Sequence, residues 1–179
     1  MSSFEHRPQL LVFAGPNGSG KSTVTRFQKI VGEYVNADKI KIAKGCTDLE
    51  AAQHAERMRE FLLEHRMDFT FETVLSTPRN LLLIRRAHEA GYHVRLIFIL
   101  TTDSSINVRR VADRVRKGGH NVPEDKIRSR YEKSLNIIRN LYKLTDELWI
   151  FDNSGEVPVL ICTVQDNILQ YHENEQWPK

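Results

Sequence analysis

A glycine-rich stretch near the start of the chain, residues 15–23, has the composition of a phosphate-binding loop. It matches the pattern G-x-x-x-x-G-K-[ST] in full. Glycines allow several backbone N–H groups to converge on phosphate oxygens, Lys21 can reach the β- and γ-phosphates, and the Ser22 hydroxyl can bind Mg²⁺. The stretch predicts a nucleoside triphosphate site with Mg²⁺ and comprises Gly15, Pro16, Asn17, Gly18, Ser19, Gly20, Lys21, Ser22 and Thr23.

Further polar side chains follow the other predicted strands, and ligands of α/β proteins lie outside the carboxyl ends of the strands. Phosphoryl transfer needs a carboxylate for the acceptor hydroxyl, oxygen ligands for Mg²⁺ and cations on the transferred group. Asp38 and Glu72 suit the first two tasks. The alternatives are that Asp38 caps the following helix and that Glu72 faces solvent. The candidate set at the strand ends is Asp38, Glu72, Thr73, Ser76, Asp152 and Asn153.

An arginine-rich segment, residues 104–117, has the spacing of an amphipathic helix. Its apolar residues between Val108 and Val115 form one stripe, and Arg110 and Arg114 lie on the other side, one turn apart. Two glycines then break the helix before a second one begins near Pro123. We interpret residues 104–130 as a helical lid whose guanidinium groups bind phosphate, although a solvated helix or a surface for an acidic partner would look similar. The arginines concerned are Arg110, Arg114, Arg128 and Arg130.

Strand and helix patterns alternate along the chain and predict an α/β fold. We expect three layers, a nucleotide-kinase-like P-loop architecture with a mainly parallel sheet, and a single domain over residues 1–179. The predicted strands are 9–14, 34–36, 68–73, 93–101 and 148–152, followed by edge strands within about 156–172. The predicted helices are 21–31, one from a capping box at Thr47 to about 64–66, 78–90, 104–117 and 123–144.

Composition narrows the class of protein. The 179 residues are 40% hydrophobic, carry a net charge of +3 and contain no apolar run of membrane-spanning length. The charge is too small to favour nucleic acid as a partner. Residues 1–7 are polar and the two cysteines have no metal-binding spacing, so we expect a cytoplasmic protein without a membrane partner. The chain has no standard Walker B pattern, which disfavours motor and transporter ATPases, because in those proteins a carboxylate at the end of such a strand holds the Mg²⁺.

Several motifs together resemble the zeta toxin family of small P-loop kinases, in particular its shorter bacterial branch. The resemblance runs from about residue 10 to 154 and is carried by AGPNGSGKST at 14–23, NAD at 36–38, FETVLS at 71–76, the arginines at 110 and 114, GGHNVPEDKIRSRY at 118–131 and DNS at 152–154. It implies ATP-dependent phosphorylation of a hydroxyl on a nucleotide-activated amino sugar such as UDP-N-acetylglucosamine. It also implies a possible antitoxin partner.

The resemblance also implies roles for individual residues. Lys21 and Ser22 would hold phosphate and Mg²⁺, Asp38 would accept the hydroxyl proton, and Arg110 and Arg114 would stabilise the transferred phosphoryl group. Glu72 would bind the substrate. From their places at the strand ends and on the lid, rather than from the resemblance, we also assign substrate binding to Asp38, Thr73, Ser76, Arg128 and Arg130 and nucleotide binding to Asp152 and Asn153. Two other functions stay open: a nucleotide-gated binding protein with slow ATPase activity, and a kinase for another metabolite or a polynucleotide end.

Overall fold

A seven-stranded sheet forms the centre of the computed structural model, which describes residues 6–139, 141–166 and 168–173. The strand order is β2-β3-β1-β4-β5-β6-β7. The first five strands run parallel, and β6 and β7 continue the sheet antiparallel at one edge. The strands are β1 (Gln9–Ala14), β2 (Glu33–Val35), β3 (Phe69–Thr73), β4 (His93–Leu100), β5 (Glu147–Asp152), β6 (Val159–Gln165) and β7 (Ile168–Tyr171).

Helices cover both faces of the sheet, as the alternating pattern predicts. They are α1 (Lys21–Thr25), α2 (Ala37–Lys44), α3 (Asp48–Glu64), α4 (Pro78–Glu89), α5 (Ser104–Arg116) and α6 (Glu124–Ile138), followed by a 3₁₀ segment, Leu141–Leu144. None of these described helices combines the length and apolarity needed to cross a bilayer. The fold is therefore the predicted three-layer α/β arrangement with a mainly parallel sheet.

Successive residues of β1 contribute to different apolar clusters because side chains alternate across a strand. Leu10 and Val12 pack with residues of α3 and α4. Leu11 and Phe13 pack with Val24 of α1 and with the segment that follows it. All four side chains are buried, so β1 is anchored on both faces. The loop that follows β1 consequently begins from a fixed point.

The prediction of a helix over residues 21–31 is wrong beyond its first turn, because α1 ends at Thr25. Phe27, an apolar residue in the middle of the predicted span, is 73% exposed. The chain instead runs alongside β3, where Thr70 Oγ1 donates to the Val31 carbonyl at 2.7 Å and accepts from the Val31 amide at 3.0 Å. A side-chain hydroxyl on a neighbouring strand therefore replaces helical hydrogen bonds.

Helix α2 was missed by the sequence prediction. The Asn36 side chain, assigned to the end of the second strand, accepts hydrogen bonds from the amides of Asp38 and Lys39 and forms the N-cap. The alternative that Asp38 itself caps this helix is wrong, because Asp38 lies within its first turn. The Asp38 side chain is thus placed by a helix rather than by the strand end.

Other boundaries agree closely with the sequence prediction. The capping box at Thr47 is present, and α4 begins at Pro78 and is followed by Gly91 at φ +84°. The helix predicted over 123–144 ends at Ile138 and is followed by a separate 3₁₀ segment. Residues 1–5 of the polar N-terminal stretch, residue 140 of that helix and residue 167 of the edge strands lie outside the described residues.

Candidate active site

The phosphate-binding loop joins β1 to α1, as its sequence predicts. Gly20 is in the left-handed region, at φ +86°, and directly precedes α1. The ammonium of Lys21 turns back over the loop and donates to the carbonyls of Gly15 and Pro16 at 2.7 and 3.1 Å. The Ser22 side chain is on the wall of the adjoining cavity. The glycine-rich backbone, the Lys21 ammonium and the Ser22 hydroxyl therefore lie close together beside this cavity.

Side chains from distant parts of the chain hold this loop in shape. Asn107 of α5 donates to the Asn17 carbonyl at 2.7 Å, and Asn153, which follows β5, donates to the Ser19 carbonyl at 2.8 Å. The Asn107 side chain is completely buried. The loop conformation is thus set by hydrogen bonds across the sheet edge as well as by its glycines.

Gly20 offers a test of how tightly the loop is built. A Cβ at this position would lie 2.0 Å from Asn153 Nδ2, whereas a Cβ at Gly91, which has a similar φ of +84°, would meet nothing within 4 Å. We expect Gly91→Ala to cost about 1 kcal/mol, the cost of the left-handed conformation alone, and Gly20→Ala to cost at least about 1 kcal/mol more, as overpacking does. Urea unfolding measures both, and equal losses would contradict the contact.

A cavity of about 480 Å³ lies beside the loop, which is within the usual size of small-molecule sites. Its wall combines residues of the glycine-rich loop with carboxylates and guanidinium groups. The wall is formed by α1 with the loop before it, α2, α3, β3, α5, the loop between α5 and α6, and α6. Its charged or hydroxyl-bearing residues include Lys21, Ser22, Asp38, Asp48, Glu72, Thr73, Arg110, Arg114, His120 and Arg130.

The surroundings of Lys21 in the cavity wall lower its pKa. Burial lowers the pKa of the ammonium to about 8, despite the opposing attraction of the Glu72 and Asp38 carboxylates, and Arg114 lowers it further. Lys21 is therefore a cation at neutral pH that loses its proton in the mildly alkaline range. The attraction also shows that the carboxylates of Glu72 and Asp38 lie within electrostatic reach of Lys21.

This pKa predicts how nucleotide binding depends on pH. A phosphate chain is attracted by the protonated amine only, so affinity is full below the pKa and falls as pH rises through it. We expect the affinity for ATP to decrease above about pH 8, by up to about tenfold per pH unit. Titration of ATP binding by calorimetry between neutral and alkaline pH measures this, and a constant affinity up to the ordinary lysine range would contradict it.

Glu72 is fixed by a tyrosine rather than pointing freely into solvent. The Tyr34 hydroxyl donates a short hydrogen bond to Glu72 Oε1 and accepts one from Asn36 Nδ2 at 3.3 Å. Burial and the Glu72 carboxylate raise the pKa of Tyr34, so the phenol keeps its proton and remains a donor. Through Tyr34, Asn36 therefore links the start of α2, the helix that carries Asp38, to the Glu72 carboxylate on β3.

The lid arginines occupy different positions. Arg110 and Arg114 line the cavity while donating to backbone carbonyls, Arg110 to Asn153 at 2.6 Å and Arg114 to His120 at 2.7 Å. Arg130 also lines the cavity and donates to Asn17 Oδ1 at 3.2 Å. Arg128 instead contacts Glu124 and Ser104 and is not on the cavity wall.

Of the remaining predicted site residues, some line the cavity and others lie outside its wall. Thr73 lies on the wall and its hydroxyl accepts from the Leu75 amide and from Asn80. Among the described residues, several predicted site residues are outside the wall: Gly15, Pro16, Ser19, Thr23, Ser76, Arg128, Asp152 and Asn153. Asp152 accepts from the Ser154 amide and hydroxyl and therefore shapes the turn after β5.

The sequence analysis did not assign Asn36, Asp48, Asn107 or His120 to the site. Asn36 directly precedes a helix that was not predicted, and asparagine is a preferred N-cap residue, so that signal was available. Asn107 had no such signal, because its partner Asn17 is 90 residues away in the chain. Asp48 was interpreted only as part of a helix start.

Together, the phosphate loop, the mainly parallel sheet and the arginine-bearing lid define a P-loop protein of the small-kinase class. Within that class, the zeta toxin family model matches residues 25–163. The chain therefore belongs to the zeta toxin family. An uncharacterized protein of Haemophilus influenzae is 31% identical over 127 residues, which cover 68% of this chain and 91% of that protein.

Solved structures of low sequence identity share the fold. A chain of the AvrRxo1-ORF1:AvrRxo1-ORF2 complex with sulphate ions matches at a TM-score of 0.72 and 16% identity, covering 95% of this chain and 62% of that one. The same complex with ATP gives 0.70 and 16%, covering 92% and 60%. The PezAT toxin–antitoxin system of Streptococcus pneumoniae gives 0.52 and 16%, covering 88% and 74%. The chain thus spans about three fifths of the AvrRxo1 chain it matches.

Proposed function

We propose that this protein is an ATP-dependent kinase that phosphorylates a hydroxyl group of a small acceptor. The observation that carries the proposal is that Lys21 of the phosphate loop and the carboxylates Asp38 and Glu72 line one cavity together with three lid arginines. A binding protein with incidental ATPase activity needs the loop but not a carboxylate next to it. The family membership agrees with this choice.

In the proposed reaction, Lys21 binds the β- and γ-phosphates of ATP and Asp38 accepts the proton of the acceptor hydroxyl. The hydroxyl oxygen forms a bond to the γ-phosphorus, the bond between that phosphorus and the β–γ bridging oxygen breaks, and ADP leaves. Arg110, Arg114 and Arg130 balance the charge of the transferred group. Glu72, held by Tyr34, binds the acceptor, and Thr73 lines the cavity next to Glu72.

The oxygen-rich wall also fits Mg²⁺, which prefers oxygen ligands and keeps several waters. The Ser22 hydroxyl would hold the ion, and no group of three or more His, Cys, Asp or Glu side chains suited to a metal occurs among the described residues. A cation held mainly by ATP and one hydroxyl agrees with that composition. When bound, Mg²⁺ would neutralise charge on the phosphate oxygens.

For the acceptor we propose a UDP-amino sugar such as UDP-N-acetylglucosamine, which is what the resemblance to zeta toxins implies. We also propose an antitoxin as a protein partner, supported by the toxin–antitoxin name of the PezAT system. Both cysteines are free thiols, and we place the kinase in the cytoplasm, where ATP and such sugars are found.

The acceptor can be identified by mass spectrometry. The protein, ATP and Mg²⁺ are incubated in parallel with UDP-N-acetylglucosamine, with a 5′-hydroxyl RNA oligonucleotide and with the small-molecule pool of a bacterial extract. We expect a product heavier by one phosphoryl group from the sugar nucleotide and from the pool. Phosphorylation of the oligonucleotide alone would show a polynucleotide kinase, and release of free phosphate without any phosphorylated product would contradict the kinase proposal.

A further inference from the structure

The loop between α5 and α6, which contributes His120 to the cavity wall, is held by Arg114 of α5. A Cβ at Gly119 would lie 2.5 Å from Arg114 Cγ, so only glycine fits this close approach. The Arg114 guanidinium donates to the His120 carbonyl from Nε at 3.1 Å and from Nη2 at 2.7 Å. The position of His120 is therefore determined by Arg114, which itself lines the cavity.

The His120 side chain extends from this loop toward the opposite wall. It lines the cavity, and its Nδ1 lies 3.9 Å from Asp48 Oδ2 at the start of α3. Asp48 in turn pairs with Lys41 of α2 at 2.8 Å. The contact between His120 and Asp48 thus connects the lid with the two helices that carry the carboxylate side of the cavity.

This contact contributes little to the stability of the fold. The side chains of His120 and Asp48 are 52% and 61% exposed, and exposed ion pairs are worth between zero and about 1 kcal/mol. Lys41 already satisfies Asp48 and, together with His120, lowers the pKa of its carboxyl group. An imidazole held at a cavity wall, by contrast, can donate or accept a hydrogen bond to a hydroxyl-bearing ligand.

We propose that His120 is an acceptor-binding residue, oriented by Asp48 and held in place through its carbonyl by Arg114. It hydrogen-bonds a group of the acceptor other than the hydroxyl that is phosphorylated, so the lid contributes directly to acceptor specificity. This role rests on the proposed kinase function. It also explains the glycine before His120 in the Gly-Gly-His sequence at 118–120, because Gly119 permits the close approach of Arg114, which holds the His120 carbonyl.

The test compares apparent KM values for two substrates. The small-molecule pool of a bacterial extract serves as acceptor in a dilution series with γ-labelled ATP, so the acceptor need not be known. We expect His120→Ala to raise the apparent KM for the pool by about tenfold, as the loss of one hydrogen bond does, and to leave the KM for ATP unchanged. His120→Asn, which keeps a hydrogen-bonding group, should recover part of the loss.

Two control variants separate binding from structure. His54→Ala removes a histidine of α3 that contacts Arg57 and should change neither KM. Lys41→Ala breaks the link between α2 and α3 but leaves His120 in place, so it should have a much smaller effect than His120→Ala. A His120→Ala variant with parental KM values, or one that Lys41→Ala reproduces, would overturn the binding role. Failure of the parent protein to label the pool would overturn the kinase proposal and this inference together.

Discussion

Lys21→Ala is expected to lower kcat/KM for phosphoryl transfer by at least about 10³-fold, because in the proposed reaction its ammonium binds the phosphates in both the bound and the reacting state. The free energy of unfolding should stay constant or rise slightly. Burial lowers the pKa of Lys21, which means that the folded protein stabilises the ammonium less well than water does. Initial rates with labelled ATP, together with urea unfolding, measure both quantities.

Lys29→Ala is the matched control for this variant. Lys29 is exposed and follows α1 on the segment that runs toward β2, outside the cavity wall. The Lys29→Ala variant removes the same charge from the same region but leaves the cavity wall intact, so we expect near-parental activity. If both variants lost activity to the same extent, the effect would come from net charge and the role of Lys21 in the phosphate loop would be wrong.

Asp38→Asn is expected to reduce kcat by about 10²–10⁴-fold, the usual contribution of a positioned general base, while the affinity for ATP remains nearly unchanged. Asparagine keeps the size of the side chain, and α2 should persist because its N-cap is Asn36 rather than Asp38. Calorimetric titration with ATP and single-turnover phosphoryl transfer separate binding from chemistry. Transfer at the parental rate would show that another group accepts the proton.

Asp125→Asn provides a control with the same chemical change at the same helical position. Asp125 lies in the first turn of α6, as Asp38 does in α2, but it is not on the cavity wall. A loss of helix dipole stabilisation would affect both variants by a few tenths of a kcal/mol. Only Asp38→Asn should affect the rate of transfer.

The phosphate loop could be predicted from sequence because its information is local. A strand, four spaced motif positions and a helix start are all contained within residues 9–25, and the structure forms them there. The expectation that Asp38 and Glu72 lie near one site followed from a more general rule, that parallel strands end at the same edge of a sheet, although Asp38 lies in the first turn of α2 rather than at the end of β2. Neither prediction required knowledge of a contact between distant residues.

The supporting contacts could not be predicted in this way. Phe27 suggested a longer α1 because helical spacing does not show whether a face is buried, and here the phenylalanine is exposed. The bond between Asn107 and the Asn17 carbonyl depends on how α5 packs over the loop. Arg128 and Arg130 are two residues apart on α6 and so point in different directions, and only Arg130 reaches the cavity.

The distribution of label from γ-labelled ATP tests the central claim most directly. The protein is incubated with Mg²⁺ and the small-molecule pool of a bacterial extract, and label is measured in phosphorylated small molecules and in free phosphate. The joint presence of Lys21, Asp38 and the lid arginines on one cavity wall predicts that most label enters small molecules and that Asp38→Asn abolishes this fraction. Label found only in free phosphate, at a rate that Asp38→Asn leaves unchanged, would contradict it.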